Sequence, residues 1–311
     1  MVFRCDACGI VCVFFTYLLV IYSDYVVVFH LIRPVLKSSL SAIFNTVAFN
    51  LVVFLLGLSH LCAVLADPGV VPLGRYPLTQ NGALKRPSGW DACTRCAIYR
   101  PPRSHHCRVC RRCIRRMDHH CPWINNCVGE YNQKYFILFL VYVGALCIHA
   151  LVLVVVCRAV INGETNHSDS ETDAIVVAHT VILVAICCLF GLFVLAIFSD
   201  QMKSIMDDET AVESAKNRAR SRRRAAGDPE MGDTTRQSLS RMDLFREVFG
   251  PGPVYLWLLP CHHLFQPRPP DSDLECVVDD ELQAHELHIR PTITPSTPPE
   301  PSETDSSSIS F

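Results

Sequence analysis

Charged residues are scarce in this chain. They make up 19% of its 311 residues, whereas hydrophobic residues make up 50%. Ordinary soluble domains carry about 25% charged residues, so the composition argues against a soluble protein. Four runs contain few or no charges and reach the roughly 20 apolar residues that span a bilayer core; they cover about 8–32, 42–65, 135–157 and 174–198. The alternative is a set of buried core helices, but four such runs exceed the usual length of core helices.

Other missing features argue against further classes of protein. The sequence has no internal repeat, no glycine-rich phosphate loop and no nucleic-acid motif, so no nucleic acid partner is expected. The apolar runs lack the paired charges that mark transport pathways, which disfavours a transporter. The first run holds Asp24 and His30, is too long for a signal-peptide core and lacks a clear cleavage site. It is predicted to be a retained span.

The basic residues predict how the chain lies in the membrane. Twelve Lys or Arg residues lie between the second and third runs, whereas the loops near 33–41 and 158–173 hold only three. The positive-inside rule therefore places the segment between runs two and three, and both termini, in the cytosol. A glycosylation sequon at Asn166 in the last of these loops is usable only from the lumen, which agrees with that orientation.

Cysteine and histidine are concentrated in one segment. Residues 93–127 contain seven cysteines and four histidines. A two-residue gap lets a tight turn aim two cysteine sulfurs at one tetrahedral zinc ion, and cytosolic thiols stay reduced. Two four-ligand sites would use eight of these side chains and leave one cysteine over. Cys121 is the best candidate for that cysteine, because histidines precede it directly.

The tetrad Asp118-His119-His120-Cys121 has the composition of a nucleophilic site. A thiolate attacks thioesters readily, but a free cysteine with a pKa of about 8.5 is mostly protonated in the cytosol. His119 is therefore predicted to be the base for Cys121, and Asp118 to orient the imidazole. The main alternative is a membrane-anchored zinc scaffold of the RING type, which would use every cysteine as a ligand and need no nucleophile.

These residues match a known family. The segment 93–127, together with Pro122-Trp123 after the tetrad, resembles the DHHC protein S-acyltransferases, and the resemblance extends from the first span to the end of the fourth. Asp67-Pro68-Gly69 and the stretch 125–136 are similar to further motifs of that family. Cys8-Gly9-Ile10 and Asp208-Glu209-Thr210 look most like its Golgi subgroup.

The resemblance implies a fold and a role for each site residue. Cys121 would be the acylated nucleophile, His119 its base and Asp118 the residue that orients the base. Two structural Zn²⁺ ions are implied, one held by Cys93, Cys96, His106 and Cys113, and the other by Cys107, Cys110, His120 and Cys127. The implied fold is an all-α membrane protein with four transmembrane helices and a cytosolic, zinc-stabilised insertion between helices two and three.

The implied activity is transfer of palmitate from palmitoyl-CoA to cysteines of cytosolic or membrane proteins at the bilayer. Arg111, Arg112 and Lys134 could attract the phosphates of coenzyme A, or could merely set the topology. A 16-carbon chain extends about 20 Å and a helix rises about 1.5 Å per residue. An acyl chain on Cys121 should therefore end near Leu146 in the third span, which is the predicted cavity floor unless this leucine serves only in helix packing.

Five regions are expected along the chain. They are two helices in 1–66, the zinc domain in 67–134, helices three and four in 135–200, a cytosolic region in 201–265 and a disordered tail in 266–311. The expected location is the Golgi membrane, with the endoplasmic reticulum or plasma membrane as alternatives. Two positions depart from the family pattern: Ala211 replaces a threonine, and Leu244 replaces an asparagine whose loss is expected to weaken stability or activity.

Overall fold

A computed structural model of the chain describes residues 6–74, 76–78, 89–163, 170–225 and 239–260. Within these ranges four helices are long and apolar enough to cross a membrane: Ala7–Leu36, Leu40–Leu65, Gln133–Ile161 and Ala174–Met206. They confirm the four spans predicted from the sequence. The sequon at Asn166 and the predicted tail from 266 onward lie outside the described residues.

The first two spans begin at polar capping residues. Asp6 accepts a hydrogen bond from the Gly9 N–H at 3.2 Å, and Ser39 accepts one from the Ala42 N–H at 3.1 Å. Such caps satisfy backbone donors that have no partner in the first turn of a helix. The first span comprises α1 (Ala7–Tyr25), a π-helical segment (Val26–Ile32) and α2 (Arg33–Leu36), and the second is α3 (Leu40–Leu65).

The outer surface of the spans is apolar. Phe14, Phe44 and Leu189 are 70%, 71% and 67% exposed, respectively. In water, contiguous apolar surface of this kind would promote aggregation, whereas lipid tails solvate it. This exposure fits a bilayer and argues against the alternative of core helices in a soluble protein.

Three short antiparallel hairpins lie between the second and third spans. They pair β1 (Asp91–Cys93) with β2 (Ile98–Arg100), β3 (His105–Cys107) with β4 (Arg112–Ile114) and β5 (His119–Cys121) with β6 (Asn126–Val128). The connections contain Ala97, Arg111 and Asn125, which have left-handed φ angles of 53°, 51° and 47°. An isolated two-stranded hairpin is at best marginally stable in water, so this hairpin segment requires further support.

Asparagine side chains attach the third hairpin to the end of α3. Asn126 Nδ2 lies 2.9–3.2 Å from three carbonyl oxygens, those of Ala63, Val64 and Ala66. Carbonyls in the last turn of a helix lack intrahelical donors, so Asn126 satisfies them and fixes β6 against α3. Gly129 lies so close to the Pro68 carbonyl oxygen that a Cβ at this position would overlap it.

Two α-helices follow the fourth span in the described residues, and the second of them packs against the third and fourth spans. These spans are α4 (Gln133–Gly163) and α5 (Ser170–Met206), and they are followed by α6 (Ala211–Ala225) and α7 (Arg241–Phe249). Leu244 in α7 is 6% exposed and belongs to a buried cluster with Ile137 and Ile205. The leucine therefore fills an apolar contact, and the effect of its departure from the family pattern on activity stays a prediction.

Candidate active site and metal sites

Four ligand atoms from the first two hairpins converge in one cluster. They belong to Cys93, Cys96, His106 and Cys113, and all lie within 4.8 Å of one another. His106 Nδ1 lies 3.2 Å from Cys96 Sγ, and Cys113 Sγ lies 3.8 Å from Cys96 Sγ. A tetrahedral zinc ion with bonds of about 2.1–2.3 Å separates its ligand atoms by about 3.6–3.8 Å. Three thiols and one imidazole at these separations fit zinc.

A second cluster joins the second and third hairpins. It contains one ligand atom each from Cys107, Cys110, His120 and Cys127. His120 Nδ1 lies 3.4 Å from Cys110 Sγ and 3.6 Å from Cys127 Sγ, which again suits a tetrahedral ion. The other ring nitrogen of His120 lies 3.8 Å from a carboxylate oxygen of Asp6. The structure thus brings together both ligand sets that the resemblance implies.

Strand periodicity explains why neighbouring residues serve different sites. Successive side chains of a strand point to opposite faces. In β3, His106 therefore faces the first cluster while Cys107 faces the second. In β5, His120 faces the second cluster, which leaves His119 and Cys121 together on the other face. The alternation by itself separates the metal ligand from the two predicted catalytic residues.

Asp118 and His119 form a hydrogen-bonded pair. His119 Nδ1 lies 2.7 Å from Asp118 Oδ2, and Asp118 is 2% exposed. Burial opposes ionisation of Asp118, but hydrogen bonds from His119 and from the Ala211 N–H hold the pKa of Asp118 below its ordinary value. Burial likewise disfavours protonated His119, yet hydrogen bonds with Asp118 and Cys121 outweigh it and raise the pKa of His119 to about 9.

Cys121 lies at a cavity that extends between the spans. Cys121 is 6% exposed, and together with His119 it lines a cavity of about 250 Å³. The rest of the wall is almost entirely apolar and comes from all four spans. Its apolar residues include Leu19, Leu56, Phe136, Leu146 and Phe190, and Thr16 and Ser23 are the polar residues of the first span that line it. Along α4 the lining runs from Phe136 to Cys147, a rise of about 16 Å. A long hydrocarbon chain attached at Cys121 could enter this cavity.

Comparisons with known proteins agree with this geometry. The family model for DHHC palmitoyltransferases matches residues 87–218. The chain is 37% identical over 265 residues to palmitoyltransferase ZDHHC7 of Rattus norvegicus, an alignment that covers 82% of this chain and 79% of that protein. It is 40% identical over 225 residues to palmitoyltransferase ZDHHC3 of Homo sapiens, covering 69% of this chain and 73% of that protein. The chain belongs to the DHHC palmitoyltransferase family.

Family membership confirms the predicted resemblance and the predicted class of enzyme. A plant relative, the probable protein S-acyltransferase 15 of Arabidopsis thaliana, is 36% identical over 155 residues, covering 47% of this chain and 58% of that protein. The chain is therefore a membrane-spanning enzyme of the protein S-acyltransferase class. Nothing favours the RING-type scaffold, because Cys121 belongs to neither group of candidate metal ligands.

The predicted donor-binding residues of this palmitoyltransferase occupy different environments. Arg111 is exposed and Arg112 is half-buried in β4, so both guanidinium groups remain available to an anionic ligand. Lys134 is only 3% exposed, and its Nζ donates to the Phe249 carbonyl oxygen at 3.3 Å. Its ammonium group thus contacts the end of α7, and its contact with coenzyme A stays a prediction. Leu146 lies in the cavity wall, and its role as the cavity floor also stays a prediction.

Residues far from the DHHC tetrad hold Asp118 in place. Gln201 Nε2 donates to Asp118 Oδ2 at 2.7 Å, and the Ala211 N–H donates to Asp118 Oδ1 at 2.7 Å. The second contact comes from the backbone, so the departure from threonine at position 211 leaves it intact. Sequence reasoning missed Gln201; its only signal was a polar amide at the end of an apolar run.

Thr210 and Glu213, on either side of Ala211, form a capping box at the start of α6. The Thr210 N–H donates to Glu213 Oε2 at 2.9 Å, and the Glu213 N–H donates to Thr210 Oγ1 at 3.3 Å, which together cap α6. Arg103 then holds Glu213 with two hydrogen bonds of 2.7 and 2.8 Å and contacts Asp208 Oδ1 at 3.0 Å. The hairpin segment thereby fixes the start of α6, and with it the N–H group that binds Asp118.

Proposed function

We propose that this DHHC enzyme transfers palmitate from palmitoyl-CoA to protein cysteines through a thioester on Cys121. The observation that carries the proposal is the placement of Cys121. It contacts His119, which is itself paired with Asp118, and it opens on an apolar cavity between membrane spans. A nucleophile, a base and an acyl-sized cavity thus meet at one point.

The first half-reaction loads the enzyme. His119 takes the proton of the Cys121 thiol on Nε2, because its Nδ1 is engaged by Asp118, and the resulting imidazolium is the form that its raised pKa favours at neutral pH. The Cys121 thiolate attacks the thioester carbonyl carbon of palmitoyl-CoA, the bond between that carbon and the sulfur of coenzyme A breaks, and His119 returns the proton to the departing thiolate. Asp118 stabilises the imidazolium that forms between these two proton transfers.

The second half-reaction transfers the acyl group to the protein substrate. A thiol of a substrate cysteine gives its proton to His119, and the resulting thiolate attacks the carbonyl carbon of acylated Cys121. The bond from that carbon to Cys121 Sγ breaks, and the proton returns to Cys121. Because the acyl chain lies between the spans, acceptor cysteines must reach the membrane surface, so membrane-associated proteins are the proposed substrates.

Both ligand clusters are proposed to hold structural Zn²⁺. Cys93, Cys96, His106 and Cys113 would hold one ion, and Cys107, Cys110, His120 and Cys127 the other. When bound, each ion would supply folding free energy to hairpins whose strands are only three residues long. The protein residues then keep His119 and Cys121 on one face of β5.

Leu146, next to Cys147 at the far end of the lining on α4, is proposed as the floor of the acyl cavity. Leu146 lies ten residues beyond Phe136 on α4, and both residues line the cavity. Ten residues correspond to about 15 Å of helix, which approaches the length of a palmitoyl chain. Arg111 and Arg112 are proposed to attract the phosphates of coenzyme A.

The orientation and compartment also belong to the proposal. The excess of Lys and Arg between the second and third spans supports a cytosolic position for the hairpin segment and both termini. A Golgi membrane is supported by the resemblance of Cys8-Gly9-Ile10 and Asp208-Glu209-Thr210 to the Golgi subgroup of the family.

Acyl-enzyme formation tests the proposed function. Purified protein is incubated with labelled palmitoyl-CoA, and hydroxylamine-sensitive label is measured together with zinc content. The wild type should become labelled, whereas Cys121→Ser should lose the label and keep all its zinc. Label that persists in Cys121→Ser would show that the nucleophile is another residue, and a loss of zinc from this variant would show that Cys121 is a metal ligand.

A further inference from the structure

His60 is a buried histidine for which the proposed reaction has no role. It lies in the last two turns of α3, is 0% exposed, and is surrounded by apolar residues and aromatic rings. The Tyr17 ring packs edge-on against it at 5.1 Å, and the Phe139 ring lies 4.9 Å away. A polar ring in such surroundings is costly unless both nitrogens have hydrogen-bond partners.

Both nitrogens of His60 do have partners, and the partners fix the tautomer. Nε2 lies 2.9 Å from the Trp123 carbonyl oxygen, which can only accept, so Nε2 carries the proton and donates. The ring is fully buried and is therefore neutral, so Nδ1, which lies 3.0 Å from Tyr17 Oη, accepts from the tyrosine hydroxyl. His60 is thus a neutral ring that connects α1 and α3 to the backbone two residues after Cys121.

The carbonyl that His60 holds belongs to the wall of the catalytic site. Residues Pro122–Ile124 form one 3-10 turn directly after Cys121, and both Pro122 and Trp123 line the acyl cavity. Within this turn, the Pro122 carbonyl accepts from the Asn125 N–H at 3.0 Å. The Trp123 ring packs edge-on against Phe190 of α5 at 5.7 Å.

Trp123 is therefore held on two sides. Its ring contacts α5, and its backbone is hydrogen-bonded to α3 through His60. The α3 contact is the directional one, since a hydrogen bond weakens steeply when donor and acceptor move apart or tilt. His60 thus supplies a directional contact between α3 and the turn that follows Cys121.

We propose that His60 is a positioning residue for acyl transfer. Through its bond to the Trp123 carbonyl it fixes the turn after Cys121, so that the thiol stays aligned with His119 and with the cavity, and Tyr17 sets the ring tautomer that makes this bond possible. The inference rests on the proposed function of Cys121. Misplacement of a reacting group by about 1 Å can lower a rate about 100-fold.

Four variants test the proposal in purified full-length protein. His60→Leu keeps an apolar side chain of similar size but removes the donor, whereas His60→Gln retains an amide N–H that can reach the Trp123 carbonyl. Tyr17→Phe keeps the ring and removes only the hydroxyl. His149→Leu is the matched control, because His149 bonds Asn45 across α4 and α3 at 3.3 Å and does not line the acyl cavity.

The measured quantity is the rate of Cys121 acylation at saturating palmitoyl-CoA, with zinc content and thermal unfolding recorded for each variant. Wild-type labelling at Cys121 is established first, so a failure of the proposed function is recognised separately. His60→Leu should acylate about 10-fold to 100-fold more slowly with zinc unchanged. His60→Gln should recover most of the rate, Tyr17→Phe should be slowed severalfold, and His149→Leu should match the wild type.

Three results would overturn the proposal. His60→Leu could acylate at the wild-type rate, His60→Gln could be as slow as His60→Leu, or His149→Leu could be slowed equally. The last two would show that His60 acts only through helix packing. If neither His60 variant folds, Tyr17→Phe tests the proposal. A wild-type acylation rate in that variant would contradict the role of the Tyr17 hydroxyl in setting the His60 tautomer.

Discussion

The hairpin segment and the membrane-spanning bundle are held together by different interactions. The hairpins have strands of three residues, and their buried cysteines converge on two candidate metal sites. The bundle consists of four long helices that pack through apolar side chains and expose others to lipid. Buried cysteines occur in both regions, but those of the bundle, such as Cys157 at 0% exposure, belong to neither candidate metal site.

This difference shows where the enzyme should be sensitive to substitution. In the hairpins a single side chain supports a metal site, and structural zinc contributes about 10–16 kcal/mol of binding free energy. In the bundle one side chain among many contributes packing that a neighbour can partly replace, so large-to-small changes cost about 1–5 kcal/mol. His119 and Cys121 lie on a hairpin strand and line the cavity between the spans, so their placement depends on both regions.

The largest difference in zinc content and acylation activity is expected between the variants Cys127→Ser and Cys157→Ala. Cys127→Ser removes a ligand of the second cluster and should lose about one zinc equivalent, unfold the hairpin segment and abolish acylation. Cys157→Ala changes an equally buried cysteine in α4 and should keep its zinc and its activity. Metal analysis and acyl labelling of both proteins test the comparison. Full zinc and full activity in Cys127→Ser would remove this residue from the ligand set.

A second effect is expected at the junction of the two regions. His119→Ala removes the proposed base and should lower the rate of Cys121 acylation about 100-fold to 10,000-fold. Zinc content and unfolding temperature should stay near the wild-type values, because His119 lies on the face of β5 opposite the ligand His120. Single-turnover labelling measures the rate. A decrease smaller than threefold would assign proton transfer to another group.

A smaller effect is expected where α6 is fixed to the hairpins. Glu213→Gln weakens the paired contact with Arg103 and the capping box, and should loosen the N–H group that binds Asp118. We expect about a 10-fold slower acylation, the size of a lost charge-assisted hydrogen bond of about 1.5 kcal/mol. The matched control is Glu209→Gln, since the Glu209 carboxylate accepts a hydrogen bond at 2.6 Å from the amide of the exposed residue Asn217. Equal rates in the two variants would contradict this coupling.

The smallest effect on the acylation rate is expected deep in the bundle, where the preference among acyl donors should change instead. Leu146→Gly should lengthen the cavity and raise the use of stearoyl-CoA relative to palmitoyl-CoA, and Leu146→Phe should shift the preference toward myristoyl-CoA. One or two methylene groups in an apolar pocket change discrimination about 10-fold to 200-fold at most. Competition between donors of different length measures the ratio. An unchanged preference in both variants, with acylation intact, would show that Leu146 does not bound the cavity.

Local patterns in the sequence determined much of this protein. The four spans follow from runs of apolar residues, since a bilayer sets the length that such a run must have. Short cysteine spacings predict zinc ligands in residues 93–127, and the resemblance to the DHHC family implies how those ligands divide into two sets. These relations involve neighbours along the chain, so they can be predicted without a structure.

Only the tertiary structure decided which distant residues meet the site. Lys134 has the charge expected of a phosphate contact, but α7 covers it and its ammonium group bonds the Phe249 carbonyl. Gln201 and the Ala211 N–H reach Asp118, and His60 reaches the Trp123 carbonyl, across 83, 93 and 63 positions of the chain. A sequence states which groups can donate or accept, whereas the packing of helices determines which of them come within hydrogen-bond distance.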